Sequence, residues 1–177
     1  MQISVKKMMI FILCVLLTGI AFVGFLYFNN DIGVQKSQLE TDIRSGQKIS
    51  SDWNIDGAVS DTIAAFISYP RDMNDHTFSV YVNRPGLSFG YFFRGGGDLT
   101  VKDTDIVEYT VDGYKERAFM SMNKQQVERL EIDDGNSIQV IDIDSSKPFS
   151  LVLPVNAGYI AFYDVDGNTV GFQKHML

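Results

Sequence analysis

The sequence predicts a mainly β fold: a single N-terminal transmembrane helix followed by an antiparallel β-sandwich or barrel-like domain with one short helix. Three observations predict it. Met8 to Phe28 is a run of 21 residues without a charged side chain. From about residue 53, apolar residues recur at every second position in short stretches rich in aromatic and β-branched side chains, the pattern of strands with one buried face. Between those stretches lie Pro-Gly, Asp-Gly and Gly-Asn pairs suited to tight turns.

As a helix rising about 1.5 Å per residue, Met8–Phe28 spans roughly 31 Å, the thickness of a bilayer's hydrocarbon core. Lys6 and Lys7 precede the run and the first acid, Asp31, follows it. Positive charge stays on the cytoplasmic side, so residues 1–7 are expected inside and the remainder outside. Tyr27 suits the membrane–water interface. A cleaved signal peptide is the rival reading, and would release the chain near residues 20–30. It requires a shorter apolar core and a small-x-small site, for which Thr18-Gly19-Ile20-Ala21 is a weak match. The lone cysteine, Cys14, lies inside the run, and Ile12-Leu13-Cys14 lacks the small residue of a lipoprotein box.

The whole chain carries a formal charge of −7. Setting Lys6 and Lys7 aside leaves 13 basic and 22 acidic side chains, a charge of −9 on the exported part. That balance argues against nucleic acid as a partner. The 45% apolar content excludes a wholly disordered chain. With no cysteine beyond the apolar run, no disulfide is available, as in bacterial exported domains, and stability must come from a core.

Residues 29–52 are polar with a sparse stripe, Ile32, Leu39 and Ile43, and read as a helical stalk stopped near Ser45-Gly46. Residues 53–177 form the β domain, of about eight strands. The alternating stretches are 62–69, 76–83, 87–94, 105–111, 114–122, 137–143, 149–153, 159–165 and 169–173. Asn83-Arg84-Pro85-Gly86, Asp112-Gly113, Asp134-Gly135 and Asp166-Gly167 supply the turns, and Pro148 and Pro154 bracket one strand. Asn123 and Gln126 form a capping-box-like pair ahead of Val127 and Leu130, which predicts the single short helix there.

Candidate chemistry is sparse. Asp164-Val165-Asp166-Gly167-Asn168 resembles part of a calcium loop, but no acid follows at the position that would complete it, so a hairpin is expected. Asp142/Asp144 and Asp103/Asp105 alternate on strand-like segments and read as solvated faces. His76 and His175 are too far apart in sequence for a short-spaced zinc pair, and no Gly-x-Ser-x-Gly elbow occurs. Gly95-Gly96-Gly97 reads as a loop entering a strand rather than a phosphate cradle. No cofactor and no metal site are expected.

The densest aromatic stretch is Gly86–Arg94. Phe89, Tyr91 and Phe93 alternate toward the core, leaving Phe92 and Arg94 on the other face. A hairpin would set Tyr81 beside them. Tyr81, Phe92 and Arg94 are thus the candidate binding residues, for a glycan or an envelope protein, unless a second sheet covers that face. The expectation is a membrane-anchored extracytoplasmic binding or accessory domain of the bacterial cell envelope, with the lipid bilayer as partner of residues Met8–Phe28. The alternatives are a hydrolase of wall polymer using surface carboxylates, and a non-catalytic subunit of a membrane transporter or signalling complex.

Overall fold

The structure is a computed structural model and describes residues 5–84, 86–99 and 105–177. The turn residue Pro85 and the acid Asp103 lie outside the described residues.

The chain is mainly β, as its alternation predicts, with an apolar helix at its N-terminal end. That helix, α1 (Val5–Phe28), is the one helix among the described residues that is long and apolar enough to cross a membrane. It starts before Met8, so Lys6 and Lys7 lie in its first turn, and Phe28 is its last residue. Asn30 then takes a positive φ of 55° and turns the chain back, and the Asp31 N–H donates to the Leu26 carbonyl at 2.9 Å. Leu26 is 3% exposed among otherwise bare helix neighbours. Residues beyond the helix must therefore cover it, which seats the end of α1 on the body.

The segment read as a stalk is folded onto the β domain. After a 3-10 turn, Lys36–Gln38, comes α2 (Leu39–Gly46), the short helix of the fold. Leu39 and Ile43, one turn apart, bury completely against Ala64, Phe66, Tyr81 and Tyr91. Ile32, the third member of the predicted stripe, leaves the helix and pairs with Phe89. Gly46 is the last helical residue and does not provide a left-handed stop; the positive φ falls at Lys48 (55°). Arg44 pairs with Glu40 at 2.8 Å and donates to the Ser50 and Trp53 carbonyls, tying α2 to the chain that enters the first strand.

Among the described residues twelve strands follow in three four-stranded sheets. The outer sheet is β1 (Asn54–Val59), β2 (Ile63–Tyr69), β3 (Thr77–Asn83) and β4 (Tyr91–Gly97), in that order. The central sheet has the order β12 (Phe172–Met176), β5 (Ile106–Thr110), β6 (Glu116–Ser121), β9 (Phe149–Pro154). The third has the order β11 (Thr169–Val170), β10 (Tyr159–Asp164), β7 (Val127–Asp133), β8 (Ile138–Asp142). Pairing is antiparallel except between β12 and β5, which run parallel.

Strand alternation sorts the side chains into layers. Ile63, Ala65, Ile67, Val80 and Val82 of the outer sheet meet Val107, Tyr109, Ala118 and Met120 of the central sheet. The opposite face of the central sheet, through Ile106, Phe119 and Leu153, meets Val127, Leu130, Ile160 and Phe162 of the third. The arrangement is therefore a stack of sheets and not a closed barrel, with α2 lying on the free face of the outer sheet. Because β2 is covered on both sides, all seven of its residues are buried, which explains its nearly continuous apolar run.

The predicted helix at Asn123 is absent. Asn123 and Gln126 both take positive φ (55° and 54°), and the chain enters β7 at Val127. The Asn123 side chain accepts the Val127 N–H at 2.7 Å and donates to the Val127 and Asp144 carbonyls, both at 3.1 Å. It organises a tight turn between two strands instead of starting a helix. Leu130 and Ile132 then bury on one face of β7 with period two.

The central sheet contains a buried charge pair. Arg117 of β6 donates through Nη1 to Glu108 Oε1 of β5 at 3.0 Å. The other Glu108 oxygen faces Lys174 Nζ of β12 at 3.6 Å, and the Arg117 guanidinium lies over the Phe119 ring.

Tyr109 gives the domain an alkaline limit. Its ring stacks on Phe78 with centroids 4.6 Å apart, and burial pushes its phenol up to about 12. The unfolded phenol ionises near pH 10, so the raised folded value makes a contribution that is complete below pH 10 and is lost as pH rises toward 12. Denaturant midpoints at pH 9 and pH 11.5 are expected to fall by the equivalent of about 2 kcal/mol for this group. Tyr109→Phe removes that part of the decline.

Candidate functional site

A groove of about 610 Å³ lies between α2 and β4. One wall is Ile32–Val34, part of a segment strapped to the edge of the outer sheet. The Phe89 N–H donates to the Asp31 carbonyl (2.8 Å), the Gly33 N–H to Phe89 (2.6 Å), and Val34 and Tyr91 exchange both bonds at 2.8 Å. Gly33 is required by close approach, because a Cβ there would overlap the Tyr91 carbonyl and touch the Phe92 ring.

The second wall is α2, which presents Thr41, Asp42 and Ser45, with Gln38 of the preceding 3-10 turn, while Tyr91, Phe92 and Phe93 complete the lining. Asp42 Oδ2 accepts the Tyr81 hydroxyl at 2.7 Å beneath the groove. Burial, reinforced by that bond to the Asp42 carboxylate, raises the Tyr81 phenol far above its ordinary range. Ser45 Oγ donates to the Asp42 carbonyl at 3.0 Å. An exposed Phe93 ring, two hydroxyls, one amide and one carboxylate suit contact with an extended chain or a flat partner. No histidine lines the groove, and its single carboxylate is already engaged.

The predicted trio is divided by a β-bulge. The register between β3 and β4 shifts at Val80/Tyr81: Tyr81 pairs with Phe93 and Val82 with Phe92, whereas Val80 pairs with Gly95. Arg94 is the extra residue. Tyr81, 2% exposed, faces α2 with Phe93 edge-on at 5.5 Å. It is a core residue and not part of an outer aromatic face, because α2 covers the side that alternation alone assigns to solvent.

Arg94 borders a smaller hollow of about 170 Å³ with Arg84, Asp112 and Tyr114, and Phe92 lines both this hollow and the groove. The Arg84 guanidinium lies 4.0 Å over the Phe92 ring, and Arg94 reaches the Leu177 carbonyl at 3.4 Å. Burial raises the Tyr114 phenol, with Arg84 and Arg94 opposing the shift. Phe89 and Phe93, expected in the core, are exposed.

The remaining candidates are occupied by local structure. Asp164 accepts the Asp166 and Asn168 N–H groups at 3.0 and 2.8 Å in the β10–β11 hairpin, which lowers its carboxyl below the usual range. Asp144 binds the Ser146 N–H and hydroxyl at 3.0 and 2.6 Å, and Asp105 accepts the Lys124 N–H. His76 Nε2 accepts the Leu99 N–H at 3.1 Å, while His175 tilts over Tyr109 with centroids 5.8 Å apart. Gly95, Gly96 and Gly97 are strand residues of β4, paired with Val80, Ser79 and Phe78, and not a loop. Among the described residues no three His, Cys, Asp or Glu side chains gather as a metal site. Comparisons with known protein families, characterised proteins and solved structures find no match.

Proposed function

We propose that the chain is a membrane-anchored extracytoplasmic binding or accessory domain of the bacterial cell envelope, whose partner docks in the groove between α2 and β4. The observation that carries this reading is the groove's position. Its wall begins at Ile32, four residues beyond the end of α1, so an occupant lies at the membrane surface. The lysines at the start of α1 support an inside N-terminus and an outside domain. The −9 charge of that domain supports a protein or neutral glycan partner over a polyanion.

The same position favours, among the alternatives, a non-catalytic subunit of a membrane transporter or signalling complex. A wall-polymer hydrolase needs two carboxyl groups at a defined separation, about 5 Å or 6.5–9.5 Å, and among the described residues the groove is lined by one carboxylate, Asp42.

A photo-crosslinking amino acid at Phe93 in native membranes is expected to give one discrete adduct. It is expected to disappear when Thr41, on the opposite wall, becomes Trp. The same group at Ile138, exposed on the third sheet, is expected to give none. Equal labelling at both positions, or an adduct indifferent to Thr41→Trp, would refute the groove as the docking site.

A further inference from the structure

We infer that the loop between β3 and β4 is a second membrane contact, with Leu87 and Phe89 entering the outer interfacial layer of the bilayer that α1 crosses. The inference rests on the proposed anchoring of α1 and adds to it a fixed posture of the domain. Leu87 is 67% and Phe89 57% exposed, and the stretch from Gly86 to Gly90 carries no charge. Two large apolar side chains exposed on one uncharged loop tip are available to enter an apolar layer if one lies beside them.

Geometry identifies that layer. The Leu26 carbonyl, in the last turn of α1, accepts the Asp31 N–H at 2.9 Å, and the Asp31 carbonyl accepts the Phe89 N–H at 2.8 Å. One residue's backbone separates the two bonds, so the Phe89 amide lies within roughly 10 Å of the helix's last turn. A helix of 24 residues is about 36 Å long, exceeding the roughly 30 Å hydrocarbon core, so that turn sits at the boundary layer.

Ile32, bridged directly to Phe89, and the terminal Tyr27 and Phe28 of α1 are also exposed. All of them lie on the short stretch of chain around the helix exit or on the loop bridged to it. Arg84, at the base of the loop, stacks on Phe92 with its guanidinium 4.0 Å from the ring centroid, and is the cation nearest in sequence to the apolar tip. A domain with a charge of −9 is repelled by an anionic leaflet as a whole. Adhesion must therefore come from the apolar tip, and it holds the α2–β4 groove close to the lipid surface.

The test uses the full chain in phosphatidylcholine–phosphatidylglycerol vesicles whose acyl chains are brominated near the headgroup, for the loop positions, or near the chain ends, for Leu16. The single native Trp53 is replaced by Phe, and one Trp is placed at Leu16, Leu87, Phe89 or Ile138 in turn. Ile138 is 61% exposed on the third sheet and controls for the affinity of any exposed Trp for lipid. Quenching of L16W, L87W and F89W, with blue-shifted emission at the two loop positions and an unquenched I138W, is the expected result. If L16W is quenched while L87W and F89W match I138W, the second contact is overturned and the anchor stands. If L16W is not quenched, both readings fall.

Discussion

Replacing Glu108 with Gln is expected to cost about 3–5 kcal/mol of folding stability, because it leaves the Arg117 guanidinium buried without its counter-charge. Both side chains lie almost wholly inside the protein, bonded at 3.0 Å. Among the described residues, Arg117 Nε and Glu108 Oε2 have no further hydrogen-bond partner. The pair is thus held by one direct bond, with Lys174 as a distant third member. A pair so poorly solvated gains little over apolar side chains of equal volume, yet neither member tolerates the loss of the other. Glu108→Leu combined with Arg117→Met is therefore expected to recover most of the stability that Glu108→Gln loses. Lys174→Ala, which removes a largely exposed side chain, should cost less than about 1 kcal/mol. Urea midpoints of the detergent-solubilised full chain measure all three, with a fall of roughly 1.5–2.5 M for Glu108→Gln at ordinary slopes. A Glu108→Gln midpoint within 0.3 M of wild type, as an order-of-magnitude bound on a neutral change, would refute the buried-charge account.

The pair also marks where sequence reading runs out. Alternation locates β2, β3, β5, β6, β8, β9 and β10 and the first half of β4, while the single closing strand expected at 169–173 divides into β11 and β12. It does not reveal how many layers stack. Tyr81 is out of phase with Val80 and Val82 and so reads as outward-facing, yet α2 covers that face. The cover comes from Leu39 and Ile43, whose spacing is visible in the sequence but whose target is not. Glu108 and Arg117 similarly look like surface charges on half-exposed strands, until the third sheet closes over them.

The Asn123 error has a local cause. Asn serves helix starts and left-handed turns equally well, and Val127 and Leu130 fit a helical face as readily as an irregular strand. The Arg94 bulge and the Ile32–Phe89 bridge are long-range register choices without a local signal. They decide which aromatic residues are exposed, and hence the candidate site.

Ile43→Ala is the second substitution with a large expected effect, and it separates a structural α2 from an incidental one. Ile43 is 0% exposed and packs on the outer sheet beside Leu39. Truncating a fully buried Ile costs about 2–5 kcal/mol, the sum of lost burial and the cavity left behind. The contacts it loses belong to the cluster containing Ala64 and Phe66 of β2 and Tyr81 of β3. These strands also supply the core against the central sheet. The loss should therefore lower the global unfolding free energy and not merely fray a surface helix. Thr41→Ala, one turn face away and exposed toward the groove, is expected to stay within about 0.5 kcal/mol of wild type. Urea midpoints with hydrogen exchange of the α2 amides distinguish the cases. If α2 amides exchange rapidly in Ile43→Ala while the global midpoint is unchanged, α2 is a separable flap. The groove wall would then not be fixed relative to β4. If both fall together, the chain leaving α1, the groove and the outer sheet form one cooperative unit, and the apolar helix is mechanically continuous with the proposed docking groove.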